Sequence, residues 1–86
     1  MNKGKQMESP NERIEELYAA MMQGKLWAAS LQVGDLFTGC RPEANRRYPG
    51  SRAKASLFVV GALDVLLRTN IYVEDNGAIT KIEREN

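Results

Sequence analysis

The chain has no histidine, and among its 86 residues it has one cysteine, one tryptophan and three prolines. The missing imidazole removes the commonest general acid–base, the usual nucleophile triads and most transition-metal sites together. A lone Cys40 can form neither an internal disulfide nor a cysteine-rich zinc site, and it fits a reducing compartment, so the expected location is cytoplasmic. No glycine-rich phosphate loop and no EF-hand spacing is present. The longest apolar stretch, Leu57 to Leu63, falls far short of the roughly 20 residues a spanning helix needs. The polar start, Met1 to Glu8, has no run of signal-peptide type. Glu15, Glu16, Asp35 and Asp64 read as solvated helix-surface charges, and Cys40 reads as an ordinary small loop residue, the lesser reading being a thiol pKa lowered by Arg41 beside it. The expectation is a protein that binds and does not catalyse, with no cofactor, no metal and no membrane partner.

What is present is ordinary for a globular chain: 43% hydrophobic and 27% charged residues. A chain this short makes one domain with a limited core, and homodimerisation would be a natural way to add buried surface. The net charge of +1 conceals an uneven distribution. Between Thr38 and Lys54 stand five cations (Arg41, Arg46, Arg47, Arg52, Lys54) and one acid, Glu43; elsewhere acids outnumber bases ten to seven.

Hydrophobic spacing divides the chain into a short polar segment at 1–8, a domain over 9–82 and a short tail at 83–86. Ser9-Pro10-Asn11-Glu12 has the form of a capping box with proline at the first helical position. Ile14, Leu17, Tyr18, Met21 and Met22 then make one apolar stripe of a helix that Gly24 is expected to stop. A second helix is expected over 25–37, where Leu26, Ala29, Val33, Leu36 and Phe37 share a face. Residues 38–50, with two prolines, two glycines and no periodicity, read as a long loop. Ser51 caps a third, very apolar helix reaching about Thr69, in which Gly61 suits the close approach of another backbone. Asn76-Gly77 then joins strands 71–75 and 78–82. A two-residue turn pairs Ile71 with Ile82 and Val73 with Thr80; a three-residue loop would swap the faces of one strand. The fold class is α+β: three helices and a C-terminal two-stranded hairpin.

The order helix, helix, long helix, hairpin, and above all the run Ser51–Ile82, resembles a winged helix-turn-helix domain. The resemblance is one of element order over residues 9–82 and contains no diagnostic motif. It implies that the third helix enters the DNA major groove while the hairpin, the wing, touches the backbone. Three features depart from that pattern. The loop before the third helix is longer than a helix-turn-helix turn, the hairpin tip Glu74-Asp75 is acidic, and the short strand that many winged domains insert after the first helix has no counterpart.

Cations just ahead of a helix N-terminus lie where phosphate contact is favourable. Arg41, Arg46, Arg47, Arg52 and Lys54 are the candidate phosphate contacts, with Ser51 and Ser56 as neutral donors and Lys81 as a contact from the hairpin. Tyr48 either stacks on a sugar or base or packs against a proline. The expected function is that of a small DNA-binding protein, a transcriptional regulator or architectural accessory acting on double-stranded DNA. The alternative is a protein-interaction module, an adaptor or inhibitor of a larger protein, nucleic-acid-processing ones included, with the basic segment facing an acidic partner or with Tyr18, Met21, Met22 and Trp27 as anchors. RNA binding is permitted by the composition but has no recognised motif behind it.

Overall fold

Ile14, Leu17, Tyr18 and Met21 begin a helix that does not end where its glycine suggests. A computed structural model of the chain, which describes residues 10–85, places α1 at Pro10–Ala29. The capping box at Ser9, the segment 1–8 and Asn86 lie outside the described residues. Gly24 is a contact residue. A Cβ there would collide with the Phe58 carbonyl oxygen and crowd the Ala62 nitrogen. The next helix but one answers in kind, because a Cβ at Gly61 would collide with the Met21 carbonyl. Two helix backbones therefore meet with no side chain between them, and only glycine permits that distance. The cost of glycine within a helix, about 1 kcal/mol against alanine, is offset by the contact.

The helix packed on α1 is α3, Arg52–Leu66. Its partners ascend together in number: Glu16 with Lys54, Met21 with Gly61, Lys25 with Asp64. The two helices thus run parallel. Ala20 and Ala28 from α1, with Ala62 from α3, are buried beside the glycines, so the seam is built from small residues. Ser51 caps α3 as expected, its hydroxyl accepting the Lys54 backbone N–H at 3.1 Å.

The helix expected over 25–37 does not form. Residues 25–29 finish α1, and the chain then runs back beside the hairpin. Gly34 takes φ 98°, a left-handed conformation that breaks helical continuity. Its N–H donates to the Ile79 carbonyl at 2.8 Å, while the Ile79 N–H donates to Asp35 and the Phe37 N–H to Gly77, each at 2.8 Å. Leu36 forms a β-bridge with Ala78. Hairpin hydrogen bonds have replaced helical ones, and Phe37 stacks on Trp27 with ring centroids 5.9 Å apart.

The second helix instead occupies the expected loop: α2 is Cys40–Arg47. Its glycines and prolines bracket the helix and do not break it. Gly39, at φ 111°, stands at the entry. Pro42 lies in the first turn, where its missing donor costs little, and Pro49-Gly50 follow the exit. Ala44 of α2 packs with Ala55 and Phe58 of α3 to make the buried cluster, flanked by Trp27, Tyr48 and Val59.

The hairpin pairs β1, Thr69–Val73, with β2, Ile79–Arg84, antiparallel. Thr69 therefore belongs to a strand and not to α3, and β2 extends past Ile82 into the expected tail. The expected pairing of Ile71 with Ile82 is present, but Val73 faces Ile79 and not Thr80, because the register shifts after Tyr72. At the tip the Gly77 N–H donates to the Glu74 carbonyl and the Glu74 N–H to the Ala78 carbonyl. That is a three-residue loop with Gly77 at positive φ. The bulge at Thr80 cancels its offset and returns the strands to register. Beyond it, the Arg84 guanidinium donates to the carbonyls of Ala29 and Leu31 at 3.1 and 3.0 Å, placing a cation at the C-terminus of α1.

Gly24→Ala or Gly61→Ala is expected to lower the unfolding free energy in urea by about 2–4 kcal/mol, since backbone must move to admit the methyl group. Gly50→Ala, where a Cβ meets nothing, should leave the urea midpoint nearly unchanged.

Candidate nucleic-acid interface

Four residues separate α2 from α3, Tyr48-Pro49-Gly50-Ser51. The Tyr48 N–H closes α2 on the Ala44 carbonyl, and the Ser51 N–H donates to the Tyr48 carbonyl at 3.2 Å. This tight connection removes the first departure noted in the sequence: the loop before α3 is a helix and a short turn. It also sets the outer faces of α2 and α3 side by side.

Between them lies an open groove of about 310 Å³ lined by Arg41, Asn45, Arg52, Ala55 and Ser56. Arg41 and Asn45 are one turn apart on α2, and Arg52 and Ser56 one turn apart on α3, so each pair projects from one helix face. Among the described residues, neither Arg41 nor Arg52 has a carboxylate within ion-pair distance. Both are exposed. Two guanidiniums, an amide and a hydroxyl can donate to the oxygens of one or two anionic groups.

The remaining cations named from the sequence are already engaged. Glu43 takes both Arg46 and Arg47, the latter at 2.7 Å through Nε. The Arg47 guanidinium also lies over the Phe58 ring, 5.0 Å from its centroid. Lys54 reaches Glu16 on α1 at 3.3 Å, and Lys81 reaches Glu83 along its own strand at 3.0 Å. Tyr48 is half-buried against Phe58, with centroids 6.1 Å apart, so its ring is part of the core. The Ser51 hydroxyl is occupied as the α3 cap. Of the nine residues proposed from the sequence, Arg41, Arg52 and Ser56 meet in the groove; the other six do not.

Asn45 was not foreseen. A neutral residue in a segment read as loop gives no signal until the helix is recognised. That helix did leave one: Glu43 with Arg46 and Arg47 has the i, i+3 and i, i+4 spacing of helical ion pairs. The acid near the start and bases at the end also suit the helix dipole.

Burial pushes the Cys40 thiol up from its ordinary value, the opposite of the activation that a neighbouring arginine suggested. Burial alone would also raise Glu43, but hydrogen bonds from Arg46 and Arg47 outweigh it and leave the carboxyl below its usual range. No described helix is long and apolar enough to cross a membrane. A scan of protein-family models, a search of curated proteins and a search of solved structures each return no match.

A carboxyl whose pKa is lowered by folding contributes stability above its unfolded value and loses that contribution as pH falls through the folded one. The advantage of wild type over Glu43→Gln should be at most about 1 kcal/mol near neutrality. It should close as the pH falls below the ordinary glutamate value of 4.5. Paired denaturant melts across that range, with an NMR titration of the Glu43 carboxyl, measure both.

Proposed function

We propose that the chain is a small DNA-binding protein of winged helix-turn-helix type that contacts duplex phosphates through the groove between α2 and α3. The observation behind this reading is the meeting of Arg41 and Arg52, both free of ion pairs among the described residues, with Asn45 and Ser56. Three architectural points support it. The turn between α2 and α3 has helix-turn-helix length. The Leu36–Ala78 bridge supplies a short extended segment after α1, the element the sequence appeared to lack. The hairpin follows α3 directly, with Thr69 opening β1.

The hairpin itself is a poor phosphate ligand. Its tip holds Glu74 and Asp75, both exposed, and Lys81 is neutralised by Glu83. Contact is therefore confined to the groove and the first turn of α3, where the positive end of the helix dipole assists Arg52. Further along α3 the groove side turns apolar at Leu63, which limits how far the helix can follow a polyanion. With two free arginines per chain the log–log salt slope should be roughly −2 for each chain bound.

The alternative, an acidic protein partner seated on the same two arginines, uses identical chemistry and is separated by the choice of ligand. Fluorescence anisotropy with a random-sequence duplex over a salt series is the test. Arg41→Ala and Arg52→Ala should each reduce the magnitude of the slope by about 1, whereas Arg46→Ala, whose charge is committed to Glu43, should change it little. An absence of duplex binding by wild type at low salt would remove the DNA reading and leave the acidic partner.

A further inference from the structure

The parallel α1–α3 pair has two long sides, and among the described residues the rest of the domain covers only one. On the covered side Trp27 and Phe58, with centroids 5.6 Å apart, meet α2 and the segment carrying Phe37. On the other side α1 presents Ile14, Tyr18, Met21 and Lys25, spaced four, three and four residues apart. The same side of α3 presents Ala53, Leu57, Val60, Asp64 and Leu67 with the same alternating spacing. The Lys25–Asp64 ion pair, at 2.9 Å, fixes the relative level of the two rows. Tyr18 then stands level with Leu57, and Met21 with Val60.

This is the repeat of a coiled-coil seam, doubled across two helices and left open. Ile14 is 62% exposed, Tyr18 58%, Val60 53% and Leu67 82%. These four side chains alone leave on the order of 400 Å² of mostly apolar surface in water. With the half-buried Met21 and Leu57 between them, the face comes to roughly 500 Å², over half of the roughly 800 Å² that each partner gives to a standard interface.

We infer that this face is closed by a second copy of the chain, making a two-fold dimer with a four-helix interface of two α1–α3 pairs. The charges favour a copy over an unrelated partner. The face carries both signs at one end, Asp64 with Lys25 at 2.9 Å and Arg68 at 3.7 Å, and a two-fold axis running between the helices lays each α1 row on the other copy's α3 row. Lys25 of each copy then stands at the level of Asp64 of the other, so the face is complementary to itself. A strongly charged partner of either sign would gain nothing from it. The groove with Arg41 and Arg52 is not part of this face, so the dimer does not depend on what that groove binds.

Sedimentation equilibrium of the full chain without nucleic acid, at tens of micromolar, tests the inference. Wild type is expected at twice the chain mass, and so is Arg41→Ala/Arg52→Ala. Val60→Glu and Tyr18→Glu, each of which puts a carboxylate into the seam, should sediment as monomers that keep their helical circular dichroism. Leu36→Glu, exposed on a different part of the surface, should remain dimeric. A monomeric wild type overturns the inference whether or not any variant folds. So does a dimer that survives both seam variants, since a second copy must then use another face.

Discussion

The close passage of α1 over α3 is the constraint on which the rest of the architecture depends. Gly24 and Gly61 let each backbone touch the other's carbonyl, and Ala20, Ala28 and Ala62 keep the seam thin. Helices held this near cannot place large side chains between them. The large residues are displaced to the two sides of the pair. On one side they form the aromatic cluster of Trp27, Phe37, Tyr48 and Phe58, which receives α2 and the bridged segment. On the other they form the open rows of Ile14, Tyr18, Val60 and Leu67. Five of the eight buried hydrophobic residues among those described are alanines, so little apolar area is removed from water within one chain. A second copy on the open side would supply the missing burial.

The same seam positions the groove. Because α3 is locked to α1, the short turn from Tyr48 to Ser51 fixes α2 against the opposite flank of α3 and brings Arg41 and Asn45 beside Arg52 and Ser56. Glu43 then divides the basic segment into two parts. It holds Arg46 and Arg47 at the back of α2, where Arg47 also covers Phe58. Arg41 and Arg52 have no carboxylate partner among the described residues. A count of cations in the sequence overstates what is available, because three of the five in that window are paired within the fold, to two carboxylates, Glu43 and Glu16.

Local signals that agree with the tertiary structure were legible in the sequence. They include the start of the α1 stripe, the Ser51 cap, the close approach at Gly61 and the hairpin at Asn76-Gly77. Gly24 has the same physical role as Gly61 but reads as a helix stop, because nothing local distinguishes a contact glycine from a terminating one. The second helix was misplaced for a related reason. Residues 25–37 have helical spacing, yet hairpin hydrogen bonds and Gly34 at positive φ override it. Residues 40–47 have no apolar stripe because only Ala44 is buried, and their ion-pair spacing was the signal that periodicity could not replace. The groove was half legible. Arg41, Arg52 and Ser56 could be named, but Asn45 and the pairing of the other cations depend on a helix that the pattern hid.

Two surfaces follow from one seam: a polar groove suited to an anion and an apolar face suited to a copy of itself. The central claim is that the groove, and not the acidic hairpin, meets DNA. The most direct measurement is the backbone amide spectrum of the labelled protein titrated with a short duplex at low salt. The account predicts shifts concentrated at Arg41, Asn45, Arg52 and Ser56 and their neighbours, with the hairpin tip from Glu74 to Gly77 unmoved. Shifts centred on the hairpin, or none anywhere, would contradict it.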